Sequence, residues 1–292
     1  MADKVKIIFF GTPEFAAPAL NALLKADFCD VVKIITQPDK PIGRHHSKLI
    51  PSPIKKVAQE AGISVAHEFT KTGAKLGVLV AYGDIIPKKI IDSFPMGILN
   101  LHPSLLPKYR GSSPIQAAIL NQDKETGVTI MKLDDKMDHG PIVAQKKIKL
   151  NQTETSGELH DKLAQVGADL LIKILPDYIA KKIEAKKQDH NKASYTEKLT
   201  KKDGKIDWSQ APEKIDAQIR AMNPWPGAWT EWNNKKLIIW KASLNDNVGA
   251  RHALHLPLQL DEVQLQGKKK MAFEEFFKGH PRFSIDQFMN QG

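Results

Sequence analysis

Short apolar runs alternate with helix-like patterns over the first ~170 residues, and this alternation constrains the fold most. The first run, Val5–Phe10, is apolar almost throughout, as expected for a strand buried on both faces of a parallel sheet. It ends at a Gly-Thr-Pro turn, and a helical pattern follows over Phe15–Lys25. Strands and helices that alternate in this way predict an α/β sheet with right-handed crossover connections.

The alternation continues as far as a long helical pattern near residue 180. Ser52 is the expected N-cap of one helix and Pro53 its first residue, positions where Ser and Pro are both favoured. The further predicted strands are Val31–Thr36, Leu76–Tyr82, Gly97–Leu101, Gly127–Leu133 and Ile142–Lys149, and the further predicted helices are Ile54–Ala61, Ser113–Leu120 and Glu154–Ala180.

The composition changes after residue 203, where all five Trp lie. Short β-rich runs follow there, such as Lys236–Lys241 and Leu258–Leu265, and they predict a smaller, mostly β domain. We therefore expect a first domain over residues 1–180, a basic linker over 181–203 and a second domain over 204–292.

The excess of positive charge is concentrated in this linker region. The chain carries 43 Lys and Arg against 33 Asp and Glu, a net charge of +10. Residues 173–202 hold 9 basic and 4 acidic side chains, which is half of the excess. A basic stretch of this kind can contact successive phosphates of a nucleic acid, but it is also typical of a solvated helix and linker. Both interpretations stay open at this point.

Composition excludes several classes of protein. A single Cys excludes an intramolecular disulfide framework and a Cys-rich structural zinc site. A hydrophobic fraction of 41% excludes a mainly disordered chain. No apolar run approaches the ~20 residues that span a bilayer, and the first residues show no targeting pattern. We therefore predict a cytoplasmic protein that does not associate with membranes.

Asn100 and His102 lie two residues apart on a predicted apolar strand, so their side chains share one face. They stand at the carboxyl end of the strand, where open α/β sheets bind ligands. Burying an unpaired polar group costs ~1–3 kcal/mol, so such a pair is seldom incidental. A functional pair and a hydrogen-bonded core histidine are equally compatible with these two residues.

The acidic segment Leu133–Pro141, which contains Asp138-His139-Gly140, joins two predicted strands. From there Asp138 could reach His102, and Asp, His and Asn together suit general acid–base catalysis and oxyanion stabilisation. No Gly-x-Ser-x-Gly elbow is present and Cys29 is distant in sequence, which favours direct attack by an external nucleophile. The usual zinc-ligand spacings are missing, so we predict no metal.

These segments resemble the 10-formyltetrahydrofolate-dependent formyltransferases. The resemblance lies in Asn100-x-His102, the loop SLLPKYRG over residues 104–111, and Asp138-His139-Gly140. Further segments resemble the members of that family that act on methionyl-tRNA. They are VKIIFFGTPEFAAPALNALL, PDKPIGRHHSKLIPSPIKKVA and, near the C-terminus, NPWPGAWTEWNNKKLIIWKA and LDEVQLQGKKKMAFEEFFKGH. The similarity runs almost from end to end, with the motifs in the family order.

The resemblance implies a Rossmann-like α/β formyltransferase domain that binds folate, followed by a small OB-like β-barrel domain. The implied reaction moves a formyl group from the co-substrate 10-formyltetrahydrofolate to the α-amino group of methionyl initiator tRNA. It implies no metal, and we expect a monomer.

Residue roles also follow from the resemblance. The implied catalytic residues are Asn100, His102 and Asp138. Asn100 and a protonated His102 would donate to the oxyanion of the tetrahedral intermediate, while Asp138 would orient the ring and take part in proton relay. The loop implied to contact folate consists of Ser104, Leu105, Leu106 and Pro107.

Two basic clusters are the expected RNA contacts. One lies in the loop after the second strand and the other in the predicted linker; a solvated surface is the alternative for each. The residues concerned are Lys40, Arg44 and Lys48 in the loop, and Lys181, Lys182, Lys186 and Lys187 in the linker.

The chain also departs from the family pattern in three places. The run Ala242–Leu260 is short, which raises the question of whether the barrel closes. His139 adds an imidazole beside Asp138, and Asp84 stands where the family commonly has Gln. We expect these two to change the charge around Asp138 and the contacts near the folate, respectively.

Three other functions are compatible with parts of the sequence. A nucleotide-sugar formyltransferase would use the same donor and the same catalytic residues, but it needs no long cationic surface. A hydrolase that releases formate does not need an RNA-type second domain. A non-catalytic tRNA-binding module does not need an intact set of Asn100, His102 and Asp138.

Overall fold

The first strand, β1 (Val5–Gly11), lies in the middle of a sheet because its central residues are apolar on both faces. Its side chains from Ile7 to Phe10 are at most 1% exposed. Residues 29–35 run parallel to it on one side and residues 76–80 on the other. The predicted first strand and its burial are confirmed.

The computed structural model describes residues 4–42, 48–244, 258–285 and 288. The chain packs into two units, each built from segments that are separate in sequence. The first unit consists of Met1–Gly111, Thr126–Ile148 and His160–Thr196, and the second of Ser112–Glu125, Lys149–Leu159 and Glu197–Gly292. Domain boundaries at residues 180 and 203 stay predictions.

Among the described residues up to 200 there are ten further strands. The five predicted strands occur in the predicted order, and the other five, each of two or three residues, were not predicted. The ten strands are β2 (Cys29–Ile35), β3 (Lys40–Ile42), β4 (Lys48–Ile50), β5 (Val65–Ala66), β6 (Leu76–Val80), β7 (Ile98–His102), β8 (Arg110–Gly111), β9 (Glu125–Lys132), β10 (Ile142–Lys149) and β11 (Tyr195–Thr196). The main sheet has seven strands, in the order β10-β9-β7-β6-β1-β2-β5.

The main sheet is parallel from β5 to β7, but β9 runs antiparallel to β7. The expectation of a parallel sheet therefore holds for the part that contains β1. It does not extend to β9, since the apolar pattern of a strand predicts its burial but not its direction.

Ser52 caps the second helix as predicted, because its Oγ accepts a hydrogen bond from the backbone N–H of Lys55 at 3.0 Å. In the part of the chain that the structure describes, no helix has the length and apolarity needed to cross a bilayer. The helices are α1 (Ala17–Lys25), α2 (Pro53–Glu60), α3 (Lys88–Ile91), α4 (Pro114–Leu120), α5 (Ser156–Ile179), α6 (Pro212–Ala221) and α7 (Phe273–Gly279).

The second unit contains an antiparallel sheet of four strands, as the β-rich composition predicts. The strands pair in sequence order: β12 (Ala228–Trp232), β13 (Lys235–Leu244), β14 (Leu258–Leu265) and β15 (Met271–Ala272). Trp232 packs edge-on against Phe276 and Phe283, with ring centroids 5.4 and 5.7 Å away. The question of barrel closure falls on residues 245–257, which lie outside the described residues.

Cys29 is buried at the start of β2, and its Sγ lies 3.8 Å from the carbonyl oxygen of Leu23. Burial, followed by the negative charge of Asp30, raises the pKa of this thiol from 9.0 to about 11. The unfolded chain therefore loses the thiol proton near pH 9, whereas the folded chain keeps it until about pH 11. The free energy of unfolding is expected to fall as the pH rises between these values.

Urea unfolding of the wild type and of Cys29→Ala across this pH range measures the effect. The variant should show a shallower fall in the free energy of unfolding than the wild type. Equal slopes in the two proteins would show that the thiol does not titrate as its burial implies.

Candidate active site

Strand β7 carries Asn100 and His102 to its carboxyl end, as the sequence predicts. Both side chains are buried, with exposures of 7% and 5%. Across the pair with β9, Asn100 lies opposite Met131 and His102 opposite Thr129. Two buried polar side chains on one strand need polar partners, and these come from the loop that follows β9 and from the loop that follows β7 itself.

Asp138 is the shared partner of Asn100 and His102. Its Oδ1 accepts from Asn100 Nδ2 at 3.3 Å, and its Oδ2 lies 3.6 Å from His102 Nδ1. The same Oδ2 accepts a 2.7 Å hydrogen bond from the backbone N–H of Gly111. The structure thus brings together the three side chains that the sequence nominated as catalytic, and it adds one backbone donor.

The hydrogen bonds of His102 assign its tautomer. Nε2 lies 2.9 Å from the backbone carbonyl oxygen of Tyr109. A carbonyl oxygen only accepts, so Nε2 carries a hydrogen and donates it. Nδ1 then faces the Asp138 carboxylate and is the ring nitrogen that can bind or release a proton.

Gly111 can adopt its position only because it lacks a side chain. Its φ is +108°, and a Cβ at this position would lie 2.3 Å from the carbonyl oxygen of Thr196. The short pairing of β8 with β11 therefore brings a backbone N–H up to the Asp138 carboxylate.

The predicted folate loop follows β7 directly and is tied to β9 by Thr129. The Thr129 Oγ1 accepts from the N–H of Leu106 at 3.1 Å and donates to the carbonyl oxygen of Ser104 at 2.7 Å. Gln145 Nε2 donates to the carbonyl oxygen of Leu106 at 2.9 Å. Within the loop, Ser104 and Leu106 are buried, while Leu105 and Pro107 are half-buried.

Two buried polar residues beside this set were not identified from sequence, namely Arg110 and Gln188. Their exposures are 1% and 5%. Gln188 Oε1 accepts from Arg110 Nη2 at 2.7 Å and from Nε at 3.2 Å. Gln188 lies in a polar, Lys-rich stretch with no apolar periodicity, and its partners are 48 to 78 residues away, so no local pattern signals its burial.

His139 stacks on His190, and the ring centroids are 4.0 Å apart at an interplanar angle of 5°. His139 Nδ1 lies 2.7 Å from Asp134 Oδ2. His190 Nδ1 accepts from Arg110 Nη2 at 2.9 Å, because a guanidinium only donates. Desolvation and then the charges of His139 and Arg110 lower the pKa of His190. The additional imidazole of His139 thus pairs with Asp134.

Asp84, the other departure from the family pattern, is exposed. Its Oδ1 accepts from the N–H of Ile85 at 2.8 Å. Burial and then the charge of Asp84 raise the pKa of the nearby Tyr82 hydroxyl. The charge of Asp84 therefore acts on the Tyr82 hydroxyl. A contact of Asp84 with folate stays a prediction.

The predicted RNA-binding lysines that the structure describes are exposed. The loop cluster is described only in part: Lys40 is exposed, and Arg44 and the side chain of Lys48 lie outside the described residues. Lys182 Nζ lies 3.7 Å from Asp177 Oδ1. The exposed lysines of the predicted linker are Lys181, Lys182, Lys186 and Lys187.

No group of three or more His, Cys, Asp or Glu able to hold a metal ion occurs among the described residues.

Comparison with known families identifies the family to which the chain belongs. A family described as Formyl transferase matches residues 4–175, and one described as Formyl transferase, C-terminal domain, matches residues 198–257. The chain belongs to the formyl transferase family, and the predictions of its family, fold class and enzyme class are confirmed.

Two relatives within the family are similar to this chain over most of its length. The methionyl-tRNA formyltransferase of Halothermothrix orenii is 38% identical over 94% of this chain and 97% of its own length. The methionyl-tRNA formyltransferase of Chloroflexus aurantiacus is 42% identical over 82% of this chain and 80% of its own.

A solved structure shows the same fold at lower identity. It is an N-formyltransferase from Helicobacter canadensis, in complex with folinic acid and dTDP-3-aminofucose. The TM-score is 0.68 at 24% identity, covering 92% of this chain and 98% of the other.

Proposed function

We propose that this formyltransferase moves the formyl group of 10-formyltetrahydrofolate to the α-amino group of methionyl initiator tRNA. The observation that carries the proposal is the convergence of Asn100, His102 and Asp138 at the carboxyl end of β7. The names of the two relatives support the acceptor, and the folinic acid in the Helicobacter structure supports a folate donor.

Asn100 and His102 supply hydrogen-bond donors for the oxyanion that forms when the amine attacks the formyl carbon. A side-chain amide has two N–H groups, and one of those on Asn100 points to Asp138 Oδ1. The other can donate to the oxyanion, as can a protonated Nδ1 of His102. Donors fixed in this way typically contribute ~10²–10³-fold to the rate.

Proton transfer falls to Asp138 and His102. As the new N–C bond forms, the attacking nitrogen must lose a proton; as the C–N bond to the folate breaks, the folate nitrogen must gain one. The Asp138 carboxylate, 3.6 Å from His102 Nδ1, can take the first proton and pass it on through the ring or a held water.

The loop over residues 104–107 suits a flat, partly apolar ligand. Leu105 and Pro107 are half-buried and offer apolar surface, while Ser104 and Leu106 are buried and keep the loop attached to β9. We assign the contacts with the folate ring to Leu105 and Pro107, and the shape of the loop to Ser104 and Leu106.

We propose further that the protein is cytoplasmic and monomeric.

The test of this function is a competition between acceptors. Purified protein receives the folate donor together with methionyl initiator tRNA and a nucleotide amino sugar, and formylated products are quantified. Formylmethionyl-tRNA is expected as the main product. Transfer to the sugar alone would favour the function suggested by the Helicobacter complex. Formate release without an acceptor would indicate a hydrolase, and tRNA binding without turnover a non-catalytic module.

Chelation tests the prediction that no metal takes part. Amine attack on a formyl donor needs hydrogen-bond donors and a proton acceptor, and Asn100, His102 and Asp138 supply both. Turnover is expected to stay within about twofold of the untreated value after exhaustive chelation and dialysis. A loss of turnover that Zn²⁺ restores would contradict the assigned roles.

A further inference from the structure

We infer that Gln188 is a positioning residue for Asp138, and that it acts as a clamp between Arg110 and the backbone of the Asp138 loop. The inference rests on the proposed function, since it assigns Asp138 to proton transfer. Gln188 itself lies outside the set of Asn100, His102 and Asp138.

The side-chain amide of Gln188 forms hydrogen bonds both with the backbone of the Asp138 loop and with the guanidinium of Arg110. Nε2 donates to the carbonyl oxygens of Asp138 at 2.9 Å and of Gly140 at 2.8 Å. Oε1 accepts from Arg110 Nη2 at 2.7 Å and from Nε at 3.2 Å. Carbonyls only accept and a guanidinium only donates, so the amide has one allowed orientation. Both N–H groups of the amide therefore donate a hydrogen bond, and its oxygen accepts two.

The Asp138 loop needs such a restraint because of its backbone. Asp138 has a φ of +47°, a left-handed conformation that persists only where surrounding contacts enforce it. Gly140 lies so close to β9 that an added Cβ would be 1.9 Å from the carbonyl oxygen of Lys132. The two carbonyls that Gln188 binds flank this tight segment, so Gln188 fixes the position from which the Asp138 side chain extends.

Gln188 is itself held by pairings on either side of it. Lys186 exchanges two backbone hydrogen bonds with Ile142, at 2.7 and 2.8 Å. Tyr195 pairs with Arg110 in the contact between β11 and β8. Strand β8 thus acts on Asp138 twice: Gly111 binds its carboxylate, and Arg110 holds its backbone through Gln188.

Gln188→Glu tests the clamp because it keeps the size of the side chain and its bond to Arg110. It replaces the donor that faces Asp138 and Gly140 with an oxygen, which repels both carbonyls. Misplacing a catalytic group by about 1 Å costs ~10²-fold. We expect kcat to fall about tenfold to hundredfold, with KM for folate and tRNA within about twofold of wild type.

Gln218→Glu is the matched control. The Gln218 amide also donates to two backbone carbonyls, those of Asp203 and Lys205, each at 3.0 Å, but it belongs to the second unit. This variant should keep the wild-type kcat. If Gln188→Glu does not fold, Gln188→Met removes both the donor to the two carbonyls and the acceptor for Arg110 without adding repulsion, and it should also lower kcat at unchanged KM.

Asp138→Ala, measured in the same assay, separates the inference from the proposed function. Full turnover by Asp138→Ala would overturn the catalytic assignment itself. An inactive Asp138→Ala beside folded Gln188 variants with wild-type kcat would overturn the clamp alone. A rise in KM with unchanged kcat would likewise show that Gln188 serves binding and not the placement of Asp138.

Discussion

Replacing Asp138 or His102 with Ala is expected to lower turnover at least ~10²-fold, the usual scale for a positioned proton-transfer group. This corresponds to about 2.7 kcal/mol of lost transition-state stabilisation. The expectation follows from the 3.6 Å separation of Asp138 Oδ2 and His102 Nδ1 and from the tautomer that the Tyr109 carbonyl imposes. Without the carboxylate, the departing proton has no charged acceptor beside the ring.

Asp138→Asn is the conservative companion to these variants. It fills the same volume, but it offers one oxygen where the carboxylate offers two. In the wild type Asn100 Nδ2 and Gly111 N bind different carboxylate oxygens, so in the variant one of these donors faces an amide NH₂ group and loses its acceptor. We expect a loss of turnover close to that of Asp138→Ala, which would exclude an empty cavity as the cause. Circular dichroism and melting temperature confirm the fold, and near-normal turnover in either folded Ala variant would remove that residue from the mechanism.

Replacing Lys181, Lys182, Lys186 and Lys187 together with Ala is expected to weaken tRNA binding about tenfold or more at moderate salt. Each phosphate contact contributes about 0.7–0.9 to the slope of log affinity against log salt, so the slope should flatten as well. Lys182 should contribute least, because Asp177 lies 3.7 Å from its ammonium group. Affinity for the folate donor should not change.

The controls for this prediction separate local contacts from net charge. Lys71 and Lys75 are exposed on the first unit, and replacing both with Ala removes two charges elsewhere. That variant should keep more tRNA affinity than Lys186→Ala with Lys187→Ala. Arg44→Ala should cost more per charge, since a guanidinium can also stack on or bond to a base. A wild-type salt slope in the quadruple variant would identify the cluster as a solvated surface.

The sequence was most informative where a residue's neighbours in the chain determine its environment. Apolar runs located β1 and β7, and the cap at Ser52 followed from the free N–H groups at a helix start. Asn100 and His102 stood out because they interrupt an apolar strand. The direction of a strand could not be predicted in the same way, because the apolar pattern of β9 is compatible with either direction and β9 pairs antiparallel with β7.

Long-range side-chain pairing was beyond any local pattern. Arg110 was visible as part of a loop motif, but nothing near it showed that the guanidinium is buried against a residue 78 positions later. Gln188 is flanked by charged residues that point to solvent, so its segment reads as a linker. In the folded chain a buried guanidinium and the backbone carbonyls of Asp138 and Gly140 need hydrogen-bond partners, and this segment supplies them through Gln188, a requirement that only the folded chain presents.

The pairing of β11 with β8 has a consequence for how the protein is made. All three residues assigned to catalysis lie before residue 139, yet Gln188, Tyr195 and Thr196 complete their surroundings much later in the chain. A nascent chain that has just emerged past α5 holds all three of these side chains, but not the segment whose Gln188 side chain bonds to the backbone of Asp138. The contacts around Asp138 are therefore complete only late in synthesis, when residue 196 has left the ribosome, and a fragment that keeps all of them must extend to Thr196.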